Sequence, residues 1–250
     1  MEESDVQRIV RLTSLACAFI TVETPEGDQG IGTAFHIGEG VYLTARHVIE
    51  GNRVLSVVPH TRGILFKKDL RKFVPTNSMM NGEIPTWSLN HSSPKIADGP
   101  YYHENANIDV AAFRLRGIDI NTPHLVLGGH YDDWINDEYW MLSKATAFGY
   151  PPIPLTNGPV LVAASVEINA VIDTRLDRYV RFVVSGAPRG GFSGGPVFHE
   201  WGFVLGMTIE SLERQGAKHE GGFFTVLSIE SLRECLENHG LLPEYQRIDS

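Results

Sequence analysis

Short apolar segments alternate with turn-forming residues along most of this chain. The apolar segments are rich in Val, Ile, Phe and Tyr and are bounded by Gly, Pro, Asn and Asp, which is the pattern of β-strands. Many short strands separated by turns favour a barrel or a sandwich, so the fold class is predicted to be all-β. The predicted strands cover residues 15–22, 32–37, 41–44, 54–59, 110–115, 145–148, 160–172, 179–185, 196–199, 203–208 and 222–226.

One segment near the C-terminus has the pattern of a helix. Ser228 and Glu230 are residue types that begin helices, and Gly240 and Pro243 are types that end them. These signals predict a helix over residues 229–238.

Composition limits what the chain can do. With 250 residues, of which 42% are hydrophobic, the chain can bury a sizeable core without disulfides. A formal net charge of −9 argues against a nucleic-acid partner, because phosphates require a clustered basic face, and the basic run at 67–72 is short and interrupted by an acid. Cys17 and Cys235 are the only cysteines and lie far apart in sequence, which predicts two free thiols.

The N-terminal residues predict a cytoplasmic protein without membrane contact. Residues 1–12 include acidic residues where a secretory signal would be basic, and the apolar segment 15–20 is too short for a signal core or a membrane span.

The polar stretch between Pro59 and Glu104 is interpreted as an elaborated loop region.

Residues 191–196 read Gly-Phe-Ser-Gly-Gly-Pro and place the Ser193 hydroxyl among glycines, where backbone N–H groups can approach a reacting carbonyl. Serine is a weak nucleophile that needs a histidine base, itself oriented by a carboxylate. His47 follows a predicted hairpin, and Asp109 opens a predicted strand. Alone, each residue would more often have a structural role: a turn serine, a core histidine or a strand-capping aspartate.

Two other chemistries fit less well. In α/β-hydrolases the acid and the histidine follow the serine, whereas Asp249 is the only aspartate after Ser193. Three His-Glu pairs lack the second histidine of a zinc-protease helix motif. No metal and no cofactor are therefore predicted.

Three motifs occur in the order His, Asp, Ser: Thr44 to His47, Asp109 to Ala111 and Gly191 to Pro196. Together they resemble the chymotrypsin-like (trypsin-like) serine peptidases, especially the bacterial branch that includes high-temperature-requirement proteases and glutamyl endopeptidases. The resemblance implies two six-stranded antiparallel β-barrels with a C-terminal helix. The implied organisation is an N-terminal extension (1–12), a first barrel carrying His and Asp (13–120), a linker (121–139), a second barrel carrying Ser (140–228), and the helix and tail (229–250).

The resemblance also implies roles for individual residues. Ser193 would attack a peptide carbonyl, His47 would act as the base, and Asp109 would orient His47, while the backbone N–H groups of Gly191 and Ser193 would form the oxyanion hole. The substrate pocket implied by the resemblance is lined by Ala187, Pro188, Thr208, Ile209, Glu210, Ser211 and Gly222.

Departures from the family refine these expectations. Phe192 stands where zymogen-activated members have the aspartate that pairs with a new N-terminus, so that activation route is not expected. Thr208 stands where glutamyl endopeptidases have a histidine, and no carboxylate falls at the implied pocket base, which favours a small or apolar P1 residue. About ten residues follow the predicted helix, too few for a PDZ domain.

The predicted function is a serine endopeptidase acting on proteins or peptides through an acyl-enzyme. The alternative is a catalytically silent protease fold that serves as a peptide-binding or adaptor module; intact residues at all three motif positions count against it. Regulation by a protein partner or a ligand is left open by the sequence.

Overall fold

The chain folds into twelve β-strands in two antiparallel sheets, with few helical segments. This holds for the residues that the computed structural model describes: 7, 10, 13–60, 95–119, 121–128, 140–156, 158–173, 179–186, 190–211 and 222–247. The strands are β1 (Cys17–Glu23), β2 (Gln29–Gly38), β3 (Val41–Thr44), β4 (Arg53–Pro59), β5 (Ile96–Tyr102), β6 (Ala111–Leu115), β7 (Lys144–Gly149), β8 (Val162–Asp173), β9 (Val180–Ser185), β10 (Pro196–His199), β11 (Val204–Ser211) and β12 (Phe223–Ser228).

The two sheets match the predicted two-barrel class. The first has the strand order β4-β1-β2-β3-β6-β5, and the second closes into a barrel with the order β10-β11-β12-β9-β8-β7. In the described part of the first sheet, β4 and β5 are the two ends and do not pair with each other. The all-β, chymotrypsin-like prediction is therefore confirmed, with one closed barrel and one six-stranded sheet.

Strand β5 was not predicted, because it lies within the stretch interpreted as a loop. Its sequence contains Asp98, Gly99 and Pro100, which are usually signals of turns. Proline is tolerated in a strand at the edge of a sheet, and β5 is an end strand whose pairing with β6 is twice shifted in register. The rest of that stretch, residues 61–94, lies outside the described residues.

Two α-helices follow strands. Helix α1 (Arg46–Ile49) was not predicted, whereas α2 (Ile229–Asn238) has the predicted bounds. Ser228 occupies the N-cap of α2 but makes no capping hydrogen bond with its side chain. Within the described ranges, no helix is long and apolar enough to cross a membrane.

The chain after α2 is bound to the first sheet by a buried glutamine. Gln246 lies in a 3₁₀ turn (Glu244–Gln246), and its Nε2 donates to the carbonyls of Ile37 at 2.6 Å and Leu125 at 3.1 Å. Its Oε1 accepts the backbone N–H of Leu127 at 3.0 Å. One side chain thus binds three backbone groups, of which the Ile37 carbonyl also accepts the Tyr245 hydroxyl at 2.6 Å.

Both thiols are expected to resist alkylation in the native protein. Cys17 and Cys235 are free, as predicted, and both are buried. Burial raises the pKa of the Cys235 thiol to about 12 and raises the pKa of Cys17 further, so at pH 8 both remain protonated and unreactive. Iodoacetamide at pH 8, read by intact mass, should add nothing to the folded protein and two groups after unfolding. Rapid alkylation of the folded protein would contradict this packing.

Candidate active site

His47 lies on the exposed side of α1, directly after the end of β3. Val48 and Ile49 of this helix are buried, so the helix is anchored by its apolar side and His47 is directed outward. Its side chain is 50% exposed. The imidazole therefore lies at the surface of the first sheet, on the single helical turn that follows the predicted hairpin.

Asp109 binds His47 at two points. Its Oδ1 accepts the backbone N–H of His47 at 2.9 Å, and its Oδ2 lies 2.6 Å from His47 Nδ1. An ionised carboxylate only accepts hydrogen bonds, so Nδ1 carries the proton and Nε2 is the basic nitrogen of the neutral ring. This is the tautomer that a general base in a serine peptidase requires.

The loop that carries Asp109 is fixed on both sides. Ile108 and Val110 are fully buried and flank Asp109, whose side chain is 22% exposed. The loop is closed by the Asn105 carbonyl, which accepts the Ile108 N–H at 3.0 Å, and by His103 Nδ1, which accepts the Asn105 N–H at 3.1 Å. The carboxylate is therefore held toward His47 by buried neighbours.

Arg46 connects the helix of His47 to this loop. Its guanidinium donates to the His103 carbonyl at 3.3 Å, lies 4.9 Å from the ring centroid of Tyr102, and forms an ion pair with Glu50 at 2.8 Å. The Glu50 carboxylate also raises the pKa of Arg46. Arg46 was not predicted as a site residue, although it is adjacent to His47 in the sequence.

Helix α2 also contacts the loop that carries Asp109. His103 Nε2, in a side chain that is 1% exposed, lies 3.8 Å from Glu234 Oε2 of α2. The Tyr179 hydroxyl, just before β9 of the barrel, donates to the same carboxylate oxygen. One carboxylate on α2 thus contacts both a residue of the Asp109 loop and a residue of the barrel.

Ser193 lies in a tight turn of the barrel. Gly195 N–H donates to the Phe192 carbonyl at 2.8 Å, and Gly194 N–H donates to the Thr208 carbonyl at 2.8 Å. The Ser193 hydroxyl is 3.4 Å from the carbonyl oxygen of Ile209, a long and weak hydrogen bond. The hydroxyl is thus held only loosely by its own barrel.

Gly191 and Gly194, on either side of Ser193, lack room for a side chain and have positive φ angles. A Cβ atom at Gly191, where φ is +97°, would lie 2.2 Å from the Tyr150 carbonyl oxygen. A Cβ atom at Gly194, where φ is +83°, would lie 2.2 Å from the Thr33 carbonyl oxygen. Glycine is the residue that accepts both constraints without strain.

The N–H groups of Gly191 and Ser193 are the two proposed for an oxyanion hole. In the described part of the chain, neither donates to a backbone or side-chain acceptor. By contrast, the N–H groups of Gly194 and Gly195 are both used within the fold. These two N–H groups lie beside the Ser193 hydroxyl and have no protein acceptor. They can therefore donate to the oxyanion that develops during attack on a carbonyl.

A cleft of about 440 Å³ brings the predicted catalytic residues together. Its lining residues are Arg46, His47, Glu50, Ala106, Asp109, Ser193 and Ile209. Among the described residues, no group of His, Cys, Asp and Glu side chains is arranged to hold a metal ion. The arrangement suits proton transfer and nucleophilic attack.

A family model of the trypsin-like peptidase domain matches residues 32–207. The chain belongs to this family. It is accordingly a serine endopeptidase of the chymotrypsin fold, whose substrates are proteins or peptides. A comparison with curated proteins gave no match.

Solved structures show the same fold. The active form of the Rv3671c protease from M. tuberculosis is 18% identical, with a TM-score of 0.58 over 92% of this chain and 82% of that chain. The HtrA-type protease AlgW with tripeptide is 19% identical (TM-score 0.58), covering 95% of this chain and 64% of that one. The serine endoprotease from Yersinia pestis is 16% identical (TM-score 0.57), covering 98% and 69%.

The residues predicted to line the substrate pocket have different positions. Ile209 lines the cleft, Thr208 is buried behind it with its backbone bound to Gly194 and Gly195, and Gly222 is an exposed residue before β12. Glu210 and Ser211 belong to β11 by their backbone. Ala187 and Pro188, and the side chains of Glu210 and Ser211, lie outside the described residues, so the pocket stays a prediction.

Proposed function

We propose that this peptidase cleaves peptide bonds with Ser193 as nucleophile, His47 as general base and acid, and Asp109 as the residue that orients His47. The two-point contact between Asp109 and His47, in the same cleft as Ser193, is the observation that carries the proposal. It provides a base in the required tautomer beside a hydroxyl in a glycine turn.

The proposed reaction has two halves. Ser193 Oγ attacks the substrate carbonyl while its proton passes to His47 Nε2, and the carbonyl oxygen becomes an oxyanion that the N–H groups of Gly191 and Ser193 stabilise. The C–N bond then breaks, the amine leaves with the proton from His47, and Ser193 remains acylated. Water repeats these steps on the acyl-enzyme, releasing the acid and restoring Ser193.

Asp109 contributes by limiting the motion of the base. Because the carboxylate binds both the backbone and the ring of His47, the ring does not need to be reoriented before it takes the proton. The negative charge also stabilises the imidazolium that forms during attack. A loosely held hydroxyl at Ser193 is compatible with this role, because little is lost when it turns to the base.

A fluorophosphonate probe tests the proposed nucleophile directly. Activated serine attacks its phosphorus, the P–F bond breaks and fluoride leaves, so the protein gains the mass of one phosphonyl group. We expect one adduct per chain in the wild type, located at Ser193 by peptide mapping.

The heat-unfolded protein is the matched control, and it should take no adduct because activation requires the assembled site. An adduct on another serine, or no adduct at Ser193 in the folded protein, would contradict the proposal.

A further inference from the structure

The Thr33 side chain joins the first sheet to the loop of Ser193. Thr33 lies in β2, is fully buried, and donates from Oγ1 to the carbonyl oxygen of Gly191 at 2.6 Å, across 158 positions of sequence. The backbone N–H of Tyr150 is shared between this Oγ1 and the Gly191 carbonyl oxygen, at 3.1 Å from each. A buried hydroxyl that both donates and accepts is fixed in one orientation.

The Thr33 backbone holds the loop at a second point. Its N–H donates to the Ser193 carbonyl at 2.9 Å, and its own carbonyl accepts the Thr44 hydroxyl at 2.7 Å. One residue of the first sheet therefore binds the carbonyls of Gly191 and Ser193, which lie on either side of Phe192.

These two anchored carbonyls restrict the N–H groups of the loop. Because a peptide group is planar, fixing the Gly191 carbonyl fixes the peptide between Gly191 and Phe192, and fixing the Ser193 carbonyl fixes the one after Ser193. The peptide that carries the Ser193 N–H lies between these two fixed planes, and its own carbonyl, that of Phe192, accepts the Gly195 N–H at 2.8 Å. The close approach of Tyr150 to Gly191 holds the φ angle that directs the Gly191 N–H.

We propose that Thr33 is a positioning residue of the oxyanion site. Its hydroxyl, as the shorter of two donors beside the Tyr150 N–H, keeps the Gly191 carbonyl turned into the protein, so that the N–H groups of Gly191 and Ser193 are presented to the reacting oxygen. Thr33 touches neither the substrate nor the reacting atoms and acts through the loop. The inference rests on the proposed function and adds to it a residue from outside all three motifs.

The test compares four proteins by their rates of fluorophosphonate labelling at Ser193. Thr33→Val keeps the shape of the side chain and removes the hydroxyl, whereas Thr33→Ser keeps the hydroxyl. Thr21→Val is the matched control, because Thr21 is a largely buried threonine of the neighbouring strand β1 whose hydroxyl pairs with Ser56. Thr33→Ala replaces Thr33→Val if the valine variant does not fold.

We expect the maximal labelling rate of Thr33→Val to fall by about 10-fold to 100-fold, because displaced oxyanion donors stabilise the transition state poorly. The probe concentration at half-maximal rate and the pH profile should not change, since the cleft and His47 are intact. Thr33→Ser and Thr21→Val should label at about the wild-type rate. A role in overall stability alone would lower the melting temperature and leave the rate of the folded fraction unchanged.

The outcomes separate the two proposals. A wild type that takes no adduct at Ser193 overturns the proposed function, and the role of Thr33 with it. If the wild type is labelled and Thr33→Val is labelled at the same rate, only the role of Thr33 is overturned. Failure of both Thr33→Val and Thr33→Ala to fold would also overturn it, in favour of a general structural role.

Discussion

Replacing Ser193 with alanine is expected to lower kcat by about 10⁶-fold, because the attack on the carbonyl loses its nucleophile and no other described hydroxyl lines the cleft. The substitution removes one oxygen and its weak 3.4 Å contact with Ile209, so folding should be unaffected. The variant should still hydrolyse peptides about 10³–10⁴-fold faster than the uncatalysed reaction in water, because the oxyanion donors and substrate binding remain.

The measurement needs a substrate found with the wild type itself. A mixture of peptides is incubated with the wild type, a cleaved peptide is identified by mass spectrometry, and kcat and KM are then measured for it. Ser185→Ala is the matched control, because Ser185 lies on β9 and its hydroxyl interacts with Glu167 away from the cleft. If the activity of Ser193→Ala were within tenfold of that of the wild type, Ser193 would not be the nucleophile. The proposal expects the variant to bind the peptide without cleaving it.

The substitution Asp109→Asn is expected to lower kcat by about 10⁴-fold with little change in KM. The amide oxygen can still accept the His47 backbone N–H, but this places the amide NH₂ opposite Nδ1 in place of Oδ2. Nδ1 then accepts a hydrogen bond, and the ring proton moves to Nε2, where it prevents His47 from taking the Ser193 proton. The packing of Ile108 and Val110 is unaffected by this change of one atom.

Asp119→Asn is the matched control for this prediction. Asp119 is exposed and its carboxylate accepts the Asn121 N–H, with no contact to the cleft. Both variants should melt at the wild-type temperature, and only Asp109→Asn should lose activity. Equal activity of Asp109→Asn and the wild type would show that the carboxylate is not needed to orient His47.

The strands and the candidate catalytic residues were predictable because their signals are local. The glycines around Ser193, the apolar run that ends before His47 and the apolar run that begins after Asp109 are visible within a few residues of each. The same reasoning missed β5, since Gly99 and Pro100 carry the signals of a turn and only the position of β5 at the sheet edge makes them acceptable in a strand.

The supporting residues were not predictable, because their partners are distant in sequence. Nothing near Thr33 indicates that its hydroxyl meets Gly191, and nothing near His103 indicates that it faces Glu234. Threonine in a strand is common for reasons of backbone preference alone. The first contact exists only after the two sheets have come together, and the second only after α2 has packed beside the Asp109 loop.

The contacts of Gln246 have a consequence for biosynthesis. Gln246 and Ile37 are separated by 209 positions, so the first sheet lacks this hydrogen bond to the chain after α2 until residue 246 has left the ribosome. Long-range contacts of this kind form late and slow folding. Because that sheet carries His47 and Asp109, we expect a nascent chain to show little peptidase activity before residue 246 has emerged from the ribosome.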